Sequence, residues 1–336
     1  MATGAAERTA LPDALTRLGV GYLVRRARQH IQSLPADLEG EFARAMADRP
    51  IAENVARAND QHYEVPTAFF RQVLGPKLKY SCAFYEHRAS GLADAEDAAL
   101  ARTCEHAGLE DGQRILELGC GWGSLSLWMA QNFPRSQVTA VSNSNSQRTA
   151  IVARAAAAGL DNIEVVTADM NDFQPTGEFD RVVSVEMFEH MANWRGLLAR
   201  TATWLAPGGR LFLHVFTHEN RPYRFEADDP ADWIARHFFT GGIMPSHGLI
   251  RRFPDLFRVE AEWRWSGEHY ARTARDWLAN FDRNSAQLEP ILAGVYGSDA
   301  GLWKRRWRLF FLATAGLFGE GAGEVWGVSH YRLERS

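Results

Sequence analysis

The amino-acid sequence predicts an α/β fold built around a mostly parallel sheet of seven strands. Between residues 112 and 217, short apolar runs alternate with helix-like segments, which is typical of a parallel sheet covered by helices on both faces. A glycine-rich turn follows the first of these runs. Two later segments, 257–265 and 324–333, alternate apolar and polar residues as antiparallel strands do.

Each strand of the parallel part is expected to be followed by a helix that returns the chain to the next strand. The predicted strands span residues 114–118, 137–141, 162–167, 179–185 and 210–216. The predicted helices span residues 124–132, 145–158 and 194–205, and Pro207-Gly208-Gly209 closes the last one. Right-handed crossovers then leave few possible topologies.

The first 58 residues predict a helical N-terminal extension. Apolar spacing near the helical period predicts a helix over 12–34, which Pro35 ends, and a second helix over 36–46. The main domain is expected from residue 59 to 336. It starts with a structured loop that holds a short helix over 67–74, followed by a helix over 94–107 that Asp94 caps.

Residues 218–336 predict a substrate cap and the last strands of the sheet. Beyond the two antiparallel strands, helices are expected over residues 230–238, 246–252, 274–280 and 302–317. Helical insertions after the sheet core often cover a substrate, so this region is the expected cap.

Composition excludes several classes of protein. The formal net charge of −4 gives no electrostatic basis for binding nucleic acid or an anionic membrane. Three cysteines argue against a disulfide framework and for a reducing compartment. The longest apolar stretch, 309–318, is far shorter than the roughly 20 residues of a spanning helix. We therefore expect a cytoplasmic, soluble chain without a transmembrane segment, and a homodimer remains one option for its oligomeric state.

The glycine-rich turn predicts a cofactor site of the Rossmann-like kind. Gly119 and Gly121 follow the first strand and precede a helix, where open α/β sheets bind nucleotides. Glu117 comes directly before these glycines, and its carboxylate would repel a pyrophosphate. The third glycine of the dinucleotide spacing is replaced by Ser124. These features favour S-adenosylmethionine, whose sulfonium is positively charged, over a nicotinamide cofactor.

The ends of the second and third strands supply the remaining cofactor candidates. No carboxylate follows the second strand, so Asn143 or Gln147 would have to hold the ribose. Asp169 follows the third strand and can accept a hydrogen bond from an adenine amino group, and Met170 can pack on the ring.

Titratable side chains follow the fourth and fifth strands. Glu186, Glu189 and His190 come after the fourth strand, and His214 lies near the end of the fifth. The carboxyl ends of parallel strands meet at one edge of a sheet, so these groups predict a proton-transfer site. The spacing of His214 and His218 on a strand does not place two metal ligands on one face, and no metal is expected.

Together the motifs resemble the cyclopropane fatty acid synthase superfamily of S-adenosylmethionine-dependent methyltransferases. The resemblance rests on residues 80–85, on 115–124 and on 187–190, and it covers about residues 59–333. It implies a class I methyltransferase fold. Glu186 to His190, Phe216 and the segment 238–246 resemble the coclaurine-type N-methyltransferase branch, whereas cyclopropane synthases usually have Gly and Ile in place of Glu186 and Phe216.

The resemblance also implies roles for individual residues. The cofactor S-adenosylmethionine, which leaves as S-adenosylhomocysteine, would be held by Tyr80, Ser81, Glu117, Gly119, Gly121, Asn143, Gln147, Asp169 and Met170. A small amine would be bound and deprotonated by Glu186, Glu189 and His190, with His214, Phe216 and Tyr270 as further substrate contacts.

Two other functions stay open at this point. A lipid methyltransferase or cyclopropane-fatty-acyl-phospholipid synthase would need a long apolar channel, and the abundant Trp and Phe allow one. A regulatory protein that binds the methyl donor without turnover would keep the glycine loop, but it would have no use for the acidic residues after the fourth strand.

Overall fold

A seven-stranded sheet forms the centre of the chain. The computed structural model describes residues 7, 9, 11–35, 37–53, 65–88, 90–225 and 233–336. The strands of the main sheet are β1 (Arg114–Leu118), β2 (Gln137–Ser142), β3 (Ile163–Thr167), β4 (Phe179–Val185), β5 (Leu205–His218), β8 (Phe257–Ser266) and β9 (Trp326–Arg335). Two short strands, β6 (Tyr223–Arg224) and β7 (Ile243–Met244), form a separate antiparallel pair.

The strand order β3-β2-β1-β4-β5-β9-β8 explains where a ligand can bind. Strands β1 to β5 are parallel, and β9 runs antiparallel between β5 and β8. The chain moves outward from β1 to β3 and then returns to the other side of β1 as β4. This reversal opens a crevice beyond the carboxyl ends of β1 and β4, as in other doubly wound sheets. The predicted α/β fold with a mostly parallel seven-stranded sheet is therefore confirmed.

Helices cover both faces of the sheet and fill the region above its carboxyl edge. They are α1 (Asp13–Gln32), α2 (Leu38–Met46), α3 (Thr67–Val73), α4 (Leu92–Ala107), α5 (Ser124–Asn132), α6 (Asn145–Ala157), α7 (Trp194–Trp204), α8 (Trp233–His237), α9 (Gly267–Arg283), α10 (Ser285–Tyr296) and α11 (Ala300–Phe318). Across the described part of the chain, no helix combines the length and apolar character that crossing a bilayer requires.

Several predicted boundaries differ from the structure. Helix α4 begins at Leu92, and Asp94 lies inside its first turn, where its carboxylate accepts a hydrogen bond from the Gly91 N–H. Strand β5 begins at Leu205 and continues through the Pro-Gly-Gly segment, because Leu205 pairs with Phe179 before a bulge. The helix predicted over 274–280 is the second half of α9, and 246–252 contains only a 3₁₀ turn, Leu249–Arg252.

Other predictions fall partly on residues that the structure does not describe. The predicted domain boundary at residues 58 and 59 lies outside the described residues, and so does the first part, 54–64, of the structured loop predicted over 54–79. Residues 230–232 also lie outside the described residues, so only the later part of the helix predicted over 230–238 is described, as α8.

Helix α10 was not predicted, because Pro290 lies inside it and lacks the backbone donor of a helix interior.

The largest apolar core lies above the sheet, between the C-terminal helices and the segment before α4. It contains Trp277 of α9, Trp307 of α11 and Phe69 of α3, all nearly inaccessible to solvent. The N-terminal helix α1 joins this core through Val20, Val24 and Ile31. The predicted extension and cap thus pack together over the edge of the sheet where the crevice opens.

Candidate active site

A cavity occupies the crevice at the carboxyl ends of β1, β2 and β4. Thirteen of the fifteen residues that the sequence singled out line it: Tyr80, Ser81, Glu117, Gly119, Gly121, Asn143, Gln147, Asp169, Met170, Glu186, His190, Phe216 and Tyr270. Glu189 and His214 are not among the lining residues in the described part of the chain, but both are fully buried next to the cavity wall.

The glycine loop forms the floor of the cavity. Gly119 and Gly121 have φ angles of +78° and +52°, a backbone region that favours glycine. No atom of the described chain lies within 4 Å of the position that a Cβ would take at Gly121. Since Gly121 also lines the cavity, a side chain there would project into ligand space. The loop therefore leaves room for a ligand to approach the backbone closely.

Glu117 lies at the base of this floor, buried at the end of β1. Its Oε2 accepts a hydrogen bond from the Ser126 hydroxyl. Burial raises the pKa of Glu117 to about 7, and the Ser126 bond opposes that rise. A bound cation would favour the ionised form, so the charge of this group is sensitive to what occupies the cavity.

The ends of β2 and β3 form the next part of the wall. Gln147, in the first turn of α6, accepts a hydrogen bond from the Ser142 hydroxyl at 2.6 Å through Oε1. Gln147 also lines the cavity, so this bond holds its amide at the cavity wall. Asp169 accepts a 2.8 Å bond from the Asn171 N–H, a local turn that holds its carboxylate beside Met170 at the cavity.

Glu186 has an unusual backbone and a dense set of hydrogen bonds. Its φ is +48°, a conformation that costs a non-glycine residue about 1–3 kcal/mol. Oε1 accepts from the Cys82 N–H at 2.9 Å and lies 3.2 Å from His214 Nε2, and Oε2 accepts from the Tyr270 hydroxyl at 2.6 Å. Three groups on different elements thus hold this carboxylate at the cavity wall.

Glu189 lies behind Glu186 and has different hydrogen-bond partners. Its Oε1 accepts a 2.6 Å bond from the Phe216 N–H, and its Oε2 has no hydrogen-bond partner among the residues that the structure describes. Burial, and then the charge of Glu186, raise the pKa of Glu189 well above its usual range. Burial also raises the pKa of Glu186, but the charge of Lys79 and the bonds from Cys82 and Tyr270 oppose that rise, so Glu186 is the carboxyl group of the pair whose surroundings favour the charged form.

His190 and a group of aromatic side chains complete the cavity. The His190 ring lines the cavity and stacks on Phe239, with the ring centres 4.4 Å apart. Phe216 contacts Phe239 edge to face, with 5.5 Å between the ring centres. Aromatic faces of this kind attract a cation and also bury apolar groups. This half of the cavity is therefore suited to an apolar molecule that carries a positive charge.

Sequence reasoning missed several lining residues. Phe239, Trp277 and Phe310 come from the region after residue 218; Phe239 lies in the 238–246 segment that resembles the coclaurine-type branch, but no motif marks Trp277 or Phe310. Lys79 directly precedes the Tyr80-Ser81 motif, and this closeness in sequence is the signal that could have identified it. Its ammonium is buried and donates to Ser81 Oγ at 2.5 Å and to the Cys82 carbonyl at 2.7 Å. Burial lowers the pKa of Lys79, and the charge of Glu186 opposes this.

The comparisons with known proteins agree with this geometry. Residues 52–328 match the protein family described as mycolic acid cyclopropane synthetase. The chain is 37% identical over 290 residues to an (S)-coclaurine N-methyltransferase of Thalictrum flavum subsp. glaucum, which covers 85% of this chain and 80% of that protein. It is 30% identical over 270 residues to the cyclopropane-fatty-acyl-phospholipid synthase of Escherichia coli K12, covering 80% of this chain and 66% of that protein.

One solved structure matches nearly the whole chain. A crystal structure of coclaurine N-methyltransferase bound to N-methylheliamine and SAH has a TM-score of 0.94 and 31% identity, and the match covers 98% of each chain. A mycolic acid cyclopropane synthase complexed with SAH and CTAB has a TM-score of 0.71 at 22% identity, which supports the fold alone.

The fold and the cavity at its switch point define an S-adenosylmethionine-dependent methyltransferase. The chain belongs to the mycolic acid cyclopropane synthetase family, because the match covers far more than half of its length. The resemblance and the cofactor predicted from the sequence are both confirmed.

Proposed function

We propose that this enzyme methylates the nitrogen of a small, largely apolar amine. The observation that carries the proposal is Glu186, a buried carboxylate that three donors hold at the wall of an aromatic cavity. An amine that enters as an ammonium ion supplies the opposite charge. The relatives support this choice, since one is named (S)-coclaurine N-methyltransferase and another pavine N-methyltransferase.

The cofactor would lie along the glycine loop, where the open space over Gly121 fits it. When bound, S-adenosylmethionine supplies an activated methyl group on a positively charged sulfur. Gly119 and Gly121 would contact it through their backbone, and Asn143, Gln147, Asp169 and Met170 would contact its nucleoside. Tyr80, Ser81 and Glu117 line the rest of this half, and Lys79 is held by its own loop rather than by the ligand.

The substrate nitrogen must lose a proton before its lone pair can attack. Glu186 would attract and orient the ammonium, and His190, which also lines the cavity, would take the proton. Glu189 lies behind the wall, where its Oε1 accepts from the Phe216 N–H, so it would support Phe216 instead of acting as the base. Phe216, Phe239 and Tyr270 would exclude water and pack on the substrate. His214 would act through Glu186 rather than touch the substrate.

A labelled methyl donor tests the proposed reaction. The protein is incubated with the donor and either a panel of cyclic and acyclic amines or vesicles of unsaturated phospholipid. We expect label in an amine product and none in lipid. Label entering lipid alone would show a cyclopropane synthase or lipid methyltransferase, and donor binding without any labelled product would show a regulatory protein.

Variants separate the roles of the acidic residues. Glu186→Gln keeps the size of the side chain but removes its charge, so kcat/KM for an amine should fall about 10-fold to 1,000-fold while the donor Kd changes little. Glu268→Gln, at an exposed pair with Arg275, is the matched control and should leave both values unchanged. Equal losses of donor and amine binding would mean that Glu186 is assigned to the wrong ligand.

A further inference from the structure

Three buried histidines form a continuous hydrogen-bonded chain that ends on Glu186. His106 Nδ1 lies 2.8 Å from His330 Nδ1, His330 Nε2 lies 2.8 Å from His214 Nδ1, and His214 Nε2 lies 3.2 Å from Glu186 Oε1. The three rings come from α4, β9 and β5, and His214 and His330 are directly paired across the sheet. The chain thus connects the cavity wall to a helix on one face of the sheet.

The acceptor at the end of the chain determines the direction of every bond in it. Glu186 accepts from the Cys82 N–H through Oε1 and from the Tyr270 hydroxyl through Oε2, as an ionised carboxylate does. A carboxylate that only accepts requires His214 Nε2 to carry its hydrogen. A neutral imidazole has one N–H, so His214 Nδ1 must accept, and His330 Nε2 must donate to it. By the same reasoning His330 Nδ1 accepts from His106 Nδ1. One arrangement of tautomers therefore satisfies all three contacts.

The surroundings of all three rings favour the neutral form. Burial lowers the pKa of His214 and His330 well below the usual value, and it lowers the pKa of His106 to about 4. His106 stacks on Trp263 with the ring centres 3.9 Å apart, and Trp265 packs against His330 at 4.2 Å. Aromatic neighbours on β8 thus exclude water from the chain and hold the rings in place.

We propose that His214 is a positioning residue for Glu186, and that His330 and His106 fix its tautomer, so that an N–H always faces the carboxylate. The proposal rests on the proposed function in one respect, since it takes Glu186 as the group that attracts the substrate ammonium. A His214 ring of the other tautomer would turn a lone pair toward Glu186 and favour its protonated, uncharged form. The chain therefore keeps the cavity charged.

Other groups around Glu186 act on it as well. Lys79 and the Cys82 N–H face it from the segment before α4, Tyr270 faces it from α9, and Glu189 lies behind it. At the far end of the chain, Arg102, Glu105 and Arg332 face His106. The Cys82 N–H shares Oε1 with His214, and among these donors the bond from His214 is the one that comes from β5.

The tautomers can be measured without any substrate. In the whole protein labelled with ¹⁵N-histidine, long-range ¹H–¹⁵N spectra at pH 7 should show neutral rings, with hydrogen on Nε2 of His214 and His330 and on Nδ1 of His106. Single variants assign the signals. A charged ring, or hydrogen on His214 Nδ1, would overturn the proposal whether or not an amine proves to be the substrate.

Kinetics then tests the effect on Glu186. A hydrogen bond to the charged form lowers the pKa of a carboxyl group, so His214→Leu should move the acid limb of kcat/KM upward by about one pH unit. His214→Gln, whose amide can donate in place of Nε2, should restore part of this shift. His330→Leu and His106→Leu should give smaller shifts, in that order.

A buried histidine outside the chain is the matched control. His218 lies on the same strand, where its Nδ1 accepts from the Asn220 and Arg221 N–H groups. His218→Leu should lower stability without moving the acid limb. If all four leucine variants shift the acid limb of kcat/KM equally, the shift comes from a general loss of packing. The proposed positioning role of His214 would then be wrong. If His214→Leu does not fold, the spectra and the His106→Leu profile still decide the question.

Discussion

Glu186 combines a left-handed backbone with a buried negative charge. Its φ of +48° is unfavourable for any residue with a Cβ, and burial alone would raise its pKa. The bonds from Cys82, Tyr270 and His214 offset both effects by holding the carboxylate in one place. Strain of this kind persists where a function requires a side chain in one direction. Here the direction is toward the cavity.

The glycine loop should lose its affinity for the methyl donor when a side chain is added to it. Gly121→Val should reduce affinity for S-adenosylmethionine at least 100-fold, because the new side chain would occupy the open space over the loop. Isothermal titration with the donor measures the change. Val at a positive φ also strains the backbone by about 1–2 kcal/mol, so a control with the same strain is needed.

Gly159 supplies that control. It has a φ of +67° and no atom within 4 Å of its Cβ position, but it is exposed after α6 and away from the cavity. Gly159→Val should lower the melting temperature about as much as Gly121→Val and leave donor affinity intact. Equal affinity losses in the two variants would show that strain, not a filled site, weakens binding.

Glu117 predicts how donor binding depends on pH. Its pKa is raised to about 7 in the free protein, so below pH 7 the group is neutral and a cation must displace a proton to bind. Affinity for S-adenosylmethionine should therefore fall by up to about tenfold for each pH unit below 7. Titrations at pH 5.5, 6.5 and 7.5 measure the slope. Glu117→Gln should bind S-adenosylmethionine more weakly at pH 7.5, and its affinity should depend less on pH. An unchanged slope in this variant would exclude Glu117 as the source of the pH dependence.

At the scale of elements, α1 is held at two points against α11 and at a third against the 3₁₀ turn Glu320–Gly323 that follows it. Asp13 pairs with Arg308 at 3.0 Å, Arg28 pairs with Glu320 at 3.2 Å, and Val20 lies directly over Gly316. Exposed ion pairs contribute little, so the close contact at Gly316 should matter most. It lets the two helix backbones approach closely.

Substitution of Gly316 tests this contact. Gly316→Leu should displace α1 and lower the free energy of unfolding by about 1–3 kcal/mol, because a side chain there collides with Val20. Hydrogen exchange should show faster exchange in α1 alone. Gly294→Leu, at an exposed position of α10 with nothing within 4 Å, should cause neither change. Loss of structure throughout the sheet would contradict a local role for this contact.

The sequence predicted elements well where one local pattern dominated. The bounds of β1, α5 and β4 agree with the prediction, because apolar runs end there at glycine or polar residues. The prediction failed where tertiary contacts determine the bounds of an element. Leu205, for example, pairs with Phe179 and extends β5 through a Pro-Gly-Gly segment. The same limit applies to the site. Motifs marked the residues after β1 and β4, but the aromatic wall depends on how the cap helices pack over the sheet.

The histidine chain shows this limit most clearly. His214 was expected to contact the substrate, yet it lies behind Glu186, and His106 and His330 carry no motif at all. Their contact depends on the pairing of β5 with β9 and on the position of α4, and neither is local in sequence. Spacing within one strand cannot reveal such a set.

At the scale of the whole molecule, buried histidines and buried carboxyl groups change the stability of the fold in opposite directions as the pH changes. Burial lowers the pKa values of seven described histidines, His106, His214, His218, His237, His247, His269 and His330. Burial raises those of Glu96, Glu117, Glu186 and Glu189. A lowered histidine pKa stabilises the fold above about pH 6.5, and that contribution is lost as the pH falls toward 4. A raised carboxyl pKa acts in the reverse direction, since its contribution is present at low pH and is lost as the pH rises through the raised pKa, which is about 7 for Glu96 and Glu117.

The histidines outnumber the acids, so acid should destabilise the protein. We expect the urea midpoint to fall steadily between pH 6.5 and 4.5 with an unchanged m-value, because the unfolded chain takes up more protons than the folded one. His218→Leu should be less stable than the native chain at pH 7, and the difference should shrink at pH 5, where the buried histidine no longer contributes. His30→Leu, at an exposed position of α1, should leave the pH profile unchanged. A midpoint that stays constant or rises toward pH 5 would mean that the carboxyl groups, and not the histidines, control the acid stability of this fold.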